Sequence, residues 1–385
     1  MKKSVIGAVL LAAFVLSGCL SPEEEKILAA SAATKADLIQ VPGLVREPLP
    51  VNMTLPDGTP VVLEGMVTRP DRPGRFPLVL INHGTNADWD LRKDVSAGDF
   101  AAMAIDFAQR GWAAVSVVRP GFGRSGGPYL EDVGPCNGRH FLTTGRRMGD
   151  EILAILDSVR LQPWVDPSHV LLVGHSGGGF ASLAAAATNP KAVIGVINFA
   201  GGHGAILNEK FCQPENLFNA MSEFGRMARI PSLWIYADND HWITPDLARN
   251  MFRAYKAGGA PATFLAEPAY KDEGHFFIDA IDQWQPPVEA FMQSLHVPTA
   301  IEVRLPDSTS LQPPSDLDYN GRAFFTKYLA LPNYEKAYAV GSGGGSGYGS
   351  GYRTIEAAKL MAMQECRFRS SGCRIYAVGN QLAPQ

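Results

Sequence analysis

Between about Val51 and His296, short apolar runs alternate with longer stretches of helical period, and this alternation constrains the fold more than any other feature of the chain. The runs Phe76 to Asn82, Ala113 to Val118, Val170 to Gly174, Val193 to Phe199 and Ser232 to Tyr236 are mostly Val, Ile and Leu, as strands buried on both faces require. A further strand is expected at Thr263 to Ala266. Phe100 to Arg110, Glu151 to Gln162, Gly178 to Thr188 and Leu247 to Lys256 read as the helices between them. Strand and helix in turn predict an α/β fold with a mostly parallel sheet flanked by helices.

At 385 residues the chain has room for two or three domains. Pro298, Pro306, Pro313 and Pro314 break both periodicities, so we expect the α/β domain at 51–297, a linker at 298–320 and a small α+β unit at 321–385. In that unit Lys336 to Val340 and Cys373 to Val378 read as strands, and Thr354 can cap a helix running to about Cys366. Gly341 to Gly351 reads as a flexible or tightly turning loop, because it lacks the Lys-Ser/Thr ending of a phosphate cradle. Lys and Arg total 34 against 38 Asp and Glu, a net charge of −4. That balance argues against a nucleic-acid partner.

Lys2 and Lys3 precede an uncharged apolar run from Val5 to Val15, the layout of a secretory signal and too short to span a membrane. It continues into Leu16-Ser17-Gly18-Cys19, which resembles the lipobox of bacterial lipoproteins. The resemblance implies an acylated Cys19 at the mature N-terminus, a membrane anchor, and a place in the bacterial cell envelope, on the outer membrane or in the periplasm of a Gram-negative host. Residues 1–19 are then the signal peptide and lipobox, and 20–50 a tether and lead-in whose run Glu23-Glu24-Glu25 is a solvated face. With Cys19 lipidated, cysteines 136, 212, 366 and 373 remain, and three pairings are open. Pairing by domain gives Cys136–Cys212 and Cys366–Cys373, with free buried thiols as the alternative. No CxxC or HExxH spacing joins cysteine and histidine, so no metal is expected.

The chemistry concentrates at Gly174-His175-Ser176-Gly177-Gly178, a G-x-S-x-G after the most apolar strand and before an Ala-rich helix. This is the setting of a nucleophile elbow, where glycines at minus two and plus two let neighbouring backbone approach a serine on a sharp turn. Such a serine needs an acid and a base, in the chain order Ser, Asp or Glu, His. Asp238 and Asp240 both stand just past the strand ending at Tyr236, and Gly274-His275 follows the strand at Thr263 to Ala266. His275 is the candidate base. Asn82-His83-Gly84-Thr85 ends another strand, so the backbone N–H groups of Thr85 and Gly177 are the candidate oxyanion donors. His175, inside the elbow, reads as a packing and hydrogen-bonding residue, and His140, His203 and His241, which no spacing singles out, as structural or rim residues. Pro128 to Thr144 and His203 to Arg226 should lie over the site and shape its pocket.

His83-Gly84, the turn Gly121-Phe-Gly-Arg-Ser-Gly126, Gly-His-Ser176-Gly-Gly, Ala237-Asp-Asn-Asp240 and Gly274-His275 occur in this order. Residues 51–297 thereby resemble the α/β-hydrolase superfamily. Asn198-Phe-Ala-Gly-Gly-His203 and Leu233-Trp-Ile-Tyr-Ala-Asp-Asn-Asp240 make the chain similar to its dienelactone-hydrolase-like bacterial members. Dienelactone hydrolase itself has a cysteine nucleophile where Ser176 stands, so lactone specificity is not implied. The resemblance favours Asp240 over Asp238, because related hydrolases carry the acid last in a G-x-x-D turn. It also implies that the Gly-rich run after Arg119 is a structural turn beneath the site. The C-terminal unit resembles small Gly-rich, cysteine-paired domains of unknown function in secreted bacterial proteins, and this implies no chemistry. Together these features predict a lipid-anchored serine hydrolase acting on a small ester or acyl substrate through Ser176, His275 and Asp240, without a cofactor. A serine peptidase or amidase is the alternative within enzymes, and a non-catalytic envelope binding module the alternative outside them.

Overall fold

The computed structural model describes residues 21–86, 88–207, 210–305, 311–331 and 334–383, so the lipobox and Cys19 lie outside the described residues. The chain divides into two compact units, Gln40–Asp307 and a second made of Ser308–Gln385 with the residues up to Ile39. The larger unit is built on one eight-stranded sheet. In spatial order its strands are Leu44–Pro48, Gly65–Pro70, Ala113–Val117, Phe76–Asn82, Val165–His175, Val193–Phe199, Ser232–Ala237 and Ala262–Glu267. The first two pair antiparallel, as do Gly65–Pro70 and Ala113–Val117, and every later neighbour is parallel.

The apolar runs carry no polar alternation because each feeds two cores. Leu78 and Leu80, Val170 and Leu172, Val196, Trp234 and Tyr236 enter one cluster with helices Phe141–Val159, Gly177–Ala186, Pro214–Met227 and Pro245–Ala257. The intervening Val79 and Ile81, Leu171 and Val173, Ile197, Leu233 and Ile235 enter the other, beneath Ala101–Gln109 and Ile281–Ser294. Successive side chains of a strand point to opposite faces, so a sheet covered on both sides needs apolar residues at every position.

The structure departs from the expected boundaries at both ends of this unit. Val41 and Leu44 are buried and Leu44–Pro48 pairs with Gly65–Pro70, so the lead-in expected at 20–50 is partly an edge of the sheet. Proline and glycine around so short a strand hide its pattern. Residues 298–305 belong to this unit rather than to a linker. Trp112 Nε1 donates to the Pro298 carbonyl at 2.9 Å, Arg110 Nη1 to that of Thr299 at 2.6 Å, and the Glu302 N–H to that of Gln109 at 2.7 Å. The helix expected from Glu151 begins ten residues earlier, at Phe141. Its first turns contain Thr143, Thr144 and Gly145, weak helix formers that blur the period.

The smaller unit has a four-stranded antiparallel sheet in the order Ser346–Ser350, Lys336–Val340, Arg374–Val378, Gln381–Leu382. Ser346–Ser350 corrects the loop expected at Gly341 to Gly351. A Cβ on Gly347 would stand 2.5 Å from Cys366 N, and one on Gly349 would stand 2.3 Å from the Ala358 carbonyl oxygen. The glycines thus let the helix Ile355–Arg369, capped by Thr354, lie directly on the strand. The Cys366–Cys373 disulfide ties the end of that helix to the start of the next strand. Pro22–Ala29, where a tether was expected, is a helix capped by Ser21, and Gln364 Nε2 donates to Glu24 Oε1 at 3.1 Å. Among the described residues no helix is long and apolar enough to cross a membrane.

Candidate active site

Every candidate residue lies just beyond the C-terminal end of a parallel strand, where an α/β sheet leaves its loops free to converge. Ser176 follows the strand Val165–His175 and precedes the helix Gly177–Ala186, with φ 52° and ψ −123°. A non-glycine residue held in that region costs of order 1–3 kcal/mol and persists only when its surroundings impose it. Here they do. A Cβ on Gly174 would stand 2.3 Å from the Gly178 carbonyl oxygen, and one on Gly178 would stand 2.2 Å from that of Asn82 and 2.4 Å from that of His83. Only glycines permit the strand, the turn and the neighbouring loop to close around the serine. From Val170 to Ala187 every residue is buried except Ser176.

Asp240 and His275 come together although 35 residues separate them. His275 Nδ1 lies 2.9 Å from Asp240 Oδ2 and 3.2 Å from Oδ1, and both side chains are buried. Asp240 Oδ1 also accepts the backbone N–H groups of Trp242 and Ile243, at 2.9 and 2.8 Å. Asp238, by contrast, is exposed. Glu273, which the sequence reading passed over, joins the two loops: its Oε1 accepts the N–H of His241 and that of His275, each at 3.0 Å. Trp242 stacks on the His275 ring at 5.8 Å between centroids.

The Ser176 hydroxyl has no direct hydrogen bond to His275. The two are linked through His175, whose ring lies 4.8 Å from that of His275 and whose Nε2 donates to the His275 carbonyl at 2.8 Å. Burial and the neighbouring His275 push the His175 pKa down to about 3, so it serves as a neutral strut. Thr85 stands against the elbow: a Cβ on Gly177 would lie 3.0 Å from Thr85 N. His83 is also neutral, its pKa lowered to about 3 by burial and by Arg119.

The two segments expected over the site are bound to each other. A disulfide joins Cys136 to Cys212, Arg139 N–H donates to Gln213 Oε1 at 2.7 Å, and Phe141 stacks on Phe211 at 5.8 Å. Of the structural and rim roles open to it, His203 takes the structural one: it is buried and donates through Nε2 to the Glu131 carbonyl at 2.6 Å. Glu131 carries no local motif that marks it. Its one signal is indirect, since a buried arginine such as Arg119 demands a carboxylate somewhere. Among the described residues no cluster of three or more His, Cys, Asp or Glu could hold a metal.

The sequence model of the alpha/beta hydrolase family matches residues 78–340. No curated protein matches the chain. Among solved structures, one described as a dienelactone hydrolase of Klebsiella pneumoniae is 20% identical, with a TM-score of 0.44, and the likeness covers 64% of this chain and 99% of that one. Est1E of Butyrivibrio proteoclasticus, solved with ferulic acid, is 19% identical, with a TM-score of 0.46 and coverage of 64% and 99%. An acetyl xylan esterase from Paenibacillus sp. R4 is 15% identical, with a TM-score of 0.45 and coverage of 72% and 92%.

Proposed function

Because this chain belongs to the alpha/beta hydrolase family, we propose that it is a serine hydrolase of carboxylic esters, with Ser176 as nucleophile, His275 as base and Asp240 as the acid that orients it. One observation carries the reading. The single opening in a buried elbow is a strained serine, and an Asp240–His275 pair assembles from two other strand ends at the same edge of the sheet. In the first half-reaction the Ser176 hydroxyl attacks the ester carbonyl carbon while His275 Nε2 takes its proton. The negative charge on the former carbonyl oxygen is met by the N–H groups of Thr85 and Gly177, each worth about 3 kcal/mol in comparable sites. Collapse expels the alcohol, which takes the proton from His275. Water then attacks the acyl-serine with the same base.

Asp240 supports this by keeping His275 in the tautomer with hydrogen on Nδ1, which leaves Nε2 basic. Labelling with a fluorophosphonate, followed by peptide mass spectrometry, tests the assignment. Modification at Ser176 is expected, and its absence in Ser176→Ala. An unlabelled wild-type protein would point instead to a binding module. Faster turnover of an aminoacyl amide than of a p-nitrophenyl ester would move the activity to peptidase or amidase. We further propose that the protein is held in the bacterial cell envelope by lipid on Cys19. Mass spectrometry of the mature N-terminus tests this, and an unacylated terminus at another residue would refute it.

A further inference from the structure

Behind the loop His83–Thr85 lies a charged pair that the chemistry above does not use. Arg119 and Glu131 have fully buried side chains and bond twice, Nε to Oε1 at 2.5 Å and Nη2 to Oε2 at 3.2 Å. Either charge alone would be costly at that depth, so the two act as a unit. Burial works to raise the Glu131 pKa, but the Arg119 guanidinium outweighs it and holds the carboxyl below its ordinary value.

The rest of the pair's hydrogen-bonding capacity converges on one loop. Arg119 Nη1 donates to the His83 carbonyl at 2.7 Å, and the Arg119 N–H donates to His83 Nε2 at 2.9 Å. The Thr85 hydroxyl donates to Glu131 Oε2 and accepts from Arg119 Nη2 at 3.5 Å. His203 grips the other side of Glu131 through its carbonyl. A threonine fixed at both lone pair and proton has one rotamer, and its backbone follows. The Thr85 hydroxyl and backbone nitrogen both stand against Gly177, the nitrogen 3.0 Å from where a Cβ there would lie.

We infer that the Arg119–Glu131 pair is the positioning device of the oxyanion site, aiming the Thr85 N–H through the Thr85 hydroxyl. This rests on the hydrolase reading above. Donors to a developing oxyanion act by being aimed before the reaction begins, and a misplacement of about 1 Å can cost roughly a hundredfold in rate. Glu131 and Arg119 are therefore positioning residues, and the Thr85 side chain is the link through which they act.

The test compares Thr85→Val, which keeps the shape and the amide but loses the hydroxyl, with Thr85→Ser, which keeps the hydroxyl. In the full-length protein kcat and KM are measured for p-nitrophenyl acetate, together with the melting temperature. The inhibition constant of phenylboronic acid is measured too, because its tetrahedral serine adduct places an oxygen where the oxyanion forms. Thr85→Val should lose about 10- to 100-fold in kcat, weaken the boronic acid in similar proportion and leave KM within about threefold. Its melting temperature should shift by only a few degrees, and Thr85→Ser should recover kcat to within about threefold of wild type. Glu131→Gln should show the same split between kcat and KM, with a larger fall in melting temperature from the unpaired Arg119. A folded Thr85→Val that keeps kcat within about twofold, or a loss that Thr85→Ser does not recover, would overturn the inference. A wild-type protein that a fluorophosphonate fails to label would overturn the hydrolase reading instead, so the two failures are distinguishable.

Discussion

Asp240→Asn exchanges one oxygen for an NH2 group and changes almost nothing in volume. The two backbone N–H groups at Asp240 Oδ1, from Trp242 at 2.9 Å and Ile243 at 2.8 Å, require an oxygen and so fix which way the new amide faces. Its nitrogen must then occupy the Oδ2 position, 2.9 Å from His275 Nδ1. There an amide hydrogen meets the ring N–H, and the imidazole relieves the clash by moving its hydrogen to Nε2, the shorter contact outweighing the one of 3.2 Å to Oδ1. In that tautomer it cannot accept the Ser176 proton. Loss of the correct tautomer costs about 10⁴ in kcat in serine hydrolases of this logic, which at 1.36 kcal/mol per decade is about 5.4 kcal/mol of transition-state stabilisation. Two of the hydrogen bonds at this position survive, so the melting temperature should fall by only a few degrees. The assay is kcat on p-nitrophenyl acetate, with Asp238→Asn as control. Asp238 is exposed, and its variant should stay within about twofold of wild type. An Asp240→Asn variant retaining more than about 10% of kcat, or an Asp238→Asn variant losing more than it does, would refute the assignment of the acid.

Three further outcomes follow from the same structure. Glu151 is buried in the helix Phe141–Val159, neither carboxylate oxygen has a hydrogen-bond partner among the described residues, and burial with the nearby Glu131 pushes its pKa from 4.5 up to about 8. The folded state thus holds a proton that the unfolded chain releases, stability is lost as pH rises between those values, and Glu151→Gln should gain on wild type by at most about 1.4 kcal/mol per pH unit until about pH 8; thermal melts showing a constant difference from pH 5 to 8 would contradict this. The Cys136–Cys212 bond closes 76 residues against 7 for Cys366–Cys373, so its removal by Cys136→Ser with Cys212→Ser should cost up to about 4.5 kcal/mol against about 2.4 in chain entropy, and should also lower kcat because it frees the segment that carries Glu131; denaturant titration and ester turnover measure the two effects. A protein limited to Gln40–Asp307 should melt cooperatively and keep kcat on a small ester within about threefold of the full chain, since both buried clusters of the α/β sheet and all the proposed site residues fall inside it.

The α/β class, six of the eight sheet strands, the Ser176 and His275 candidates, and Asp240 beside Asp238 were legible in the sequence because their signals are local. An apolar run, a glycine two residues from a serine, or Gly-His after a strand is complete within a few neighbours. Chain order then suffices to put each at a strand's C-terminal end. What spans long separations was not legible. Leu44–Pro48 becomes a strand by pairing with Gly65–Pro70, and the Gly-rich Ser346–Ser350 becomes one because a helix presses on glycines that no local rule favours in a sheet. Arg119 reads as the start of a Gly-rich turn, and Glu131 has no role of its own within the segment Pro128 to Thr144. Nothing in their spacing links either to Thr85, 34 residues before Arg119 and 46 before Glu131. Residue order sets which groups are available, whereas the pairing of buried charges is decided only when folding removes water and leaves each charge the one partner within reach.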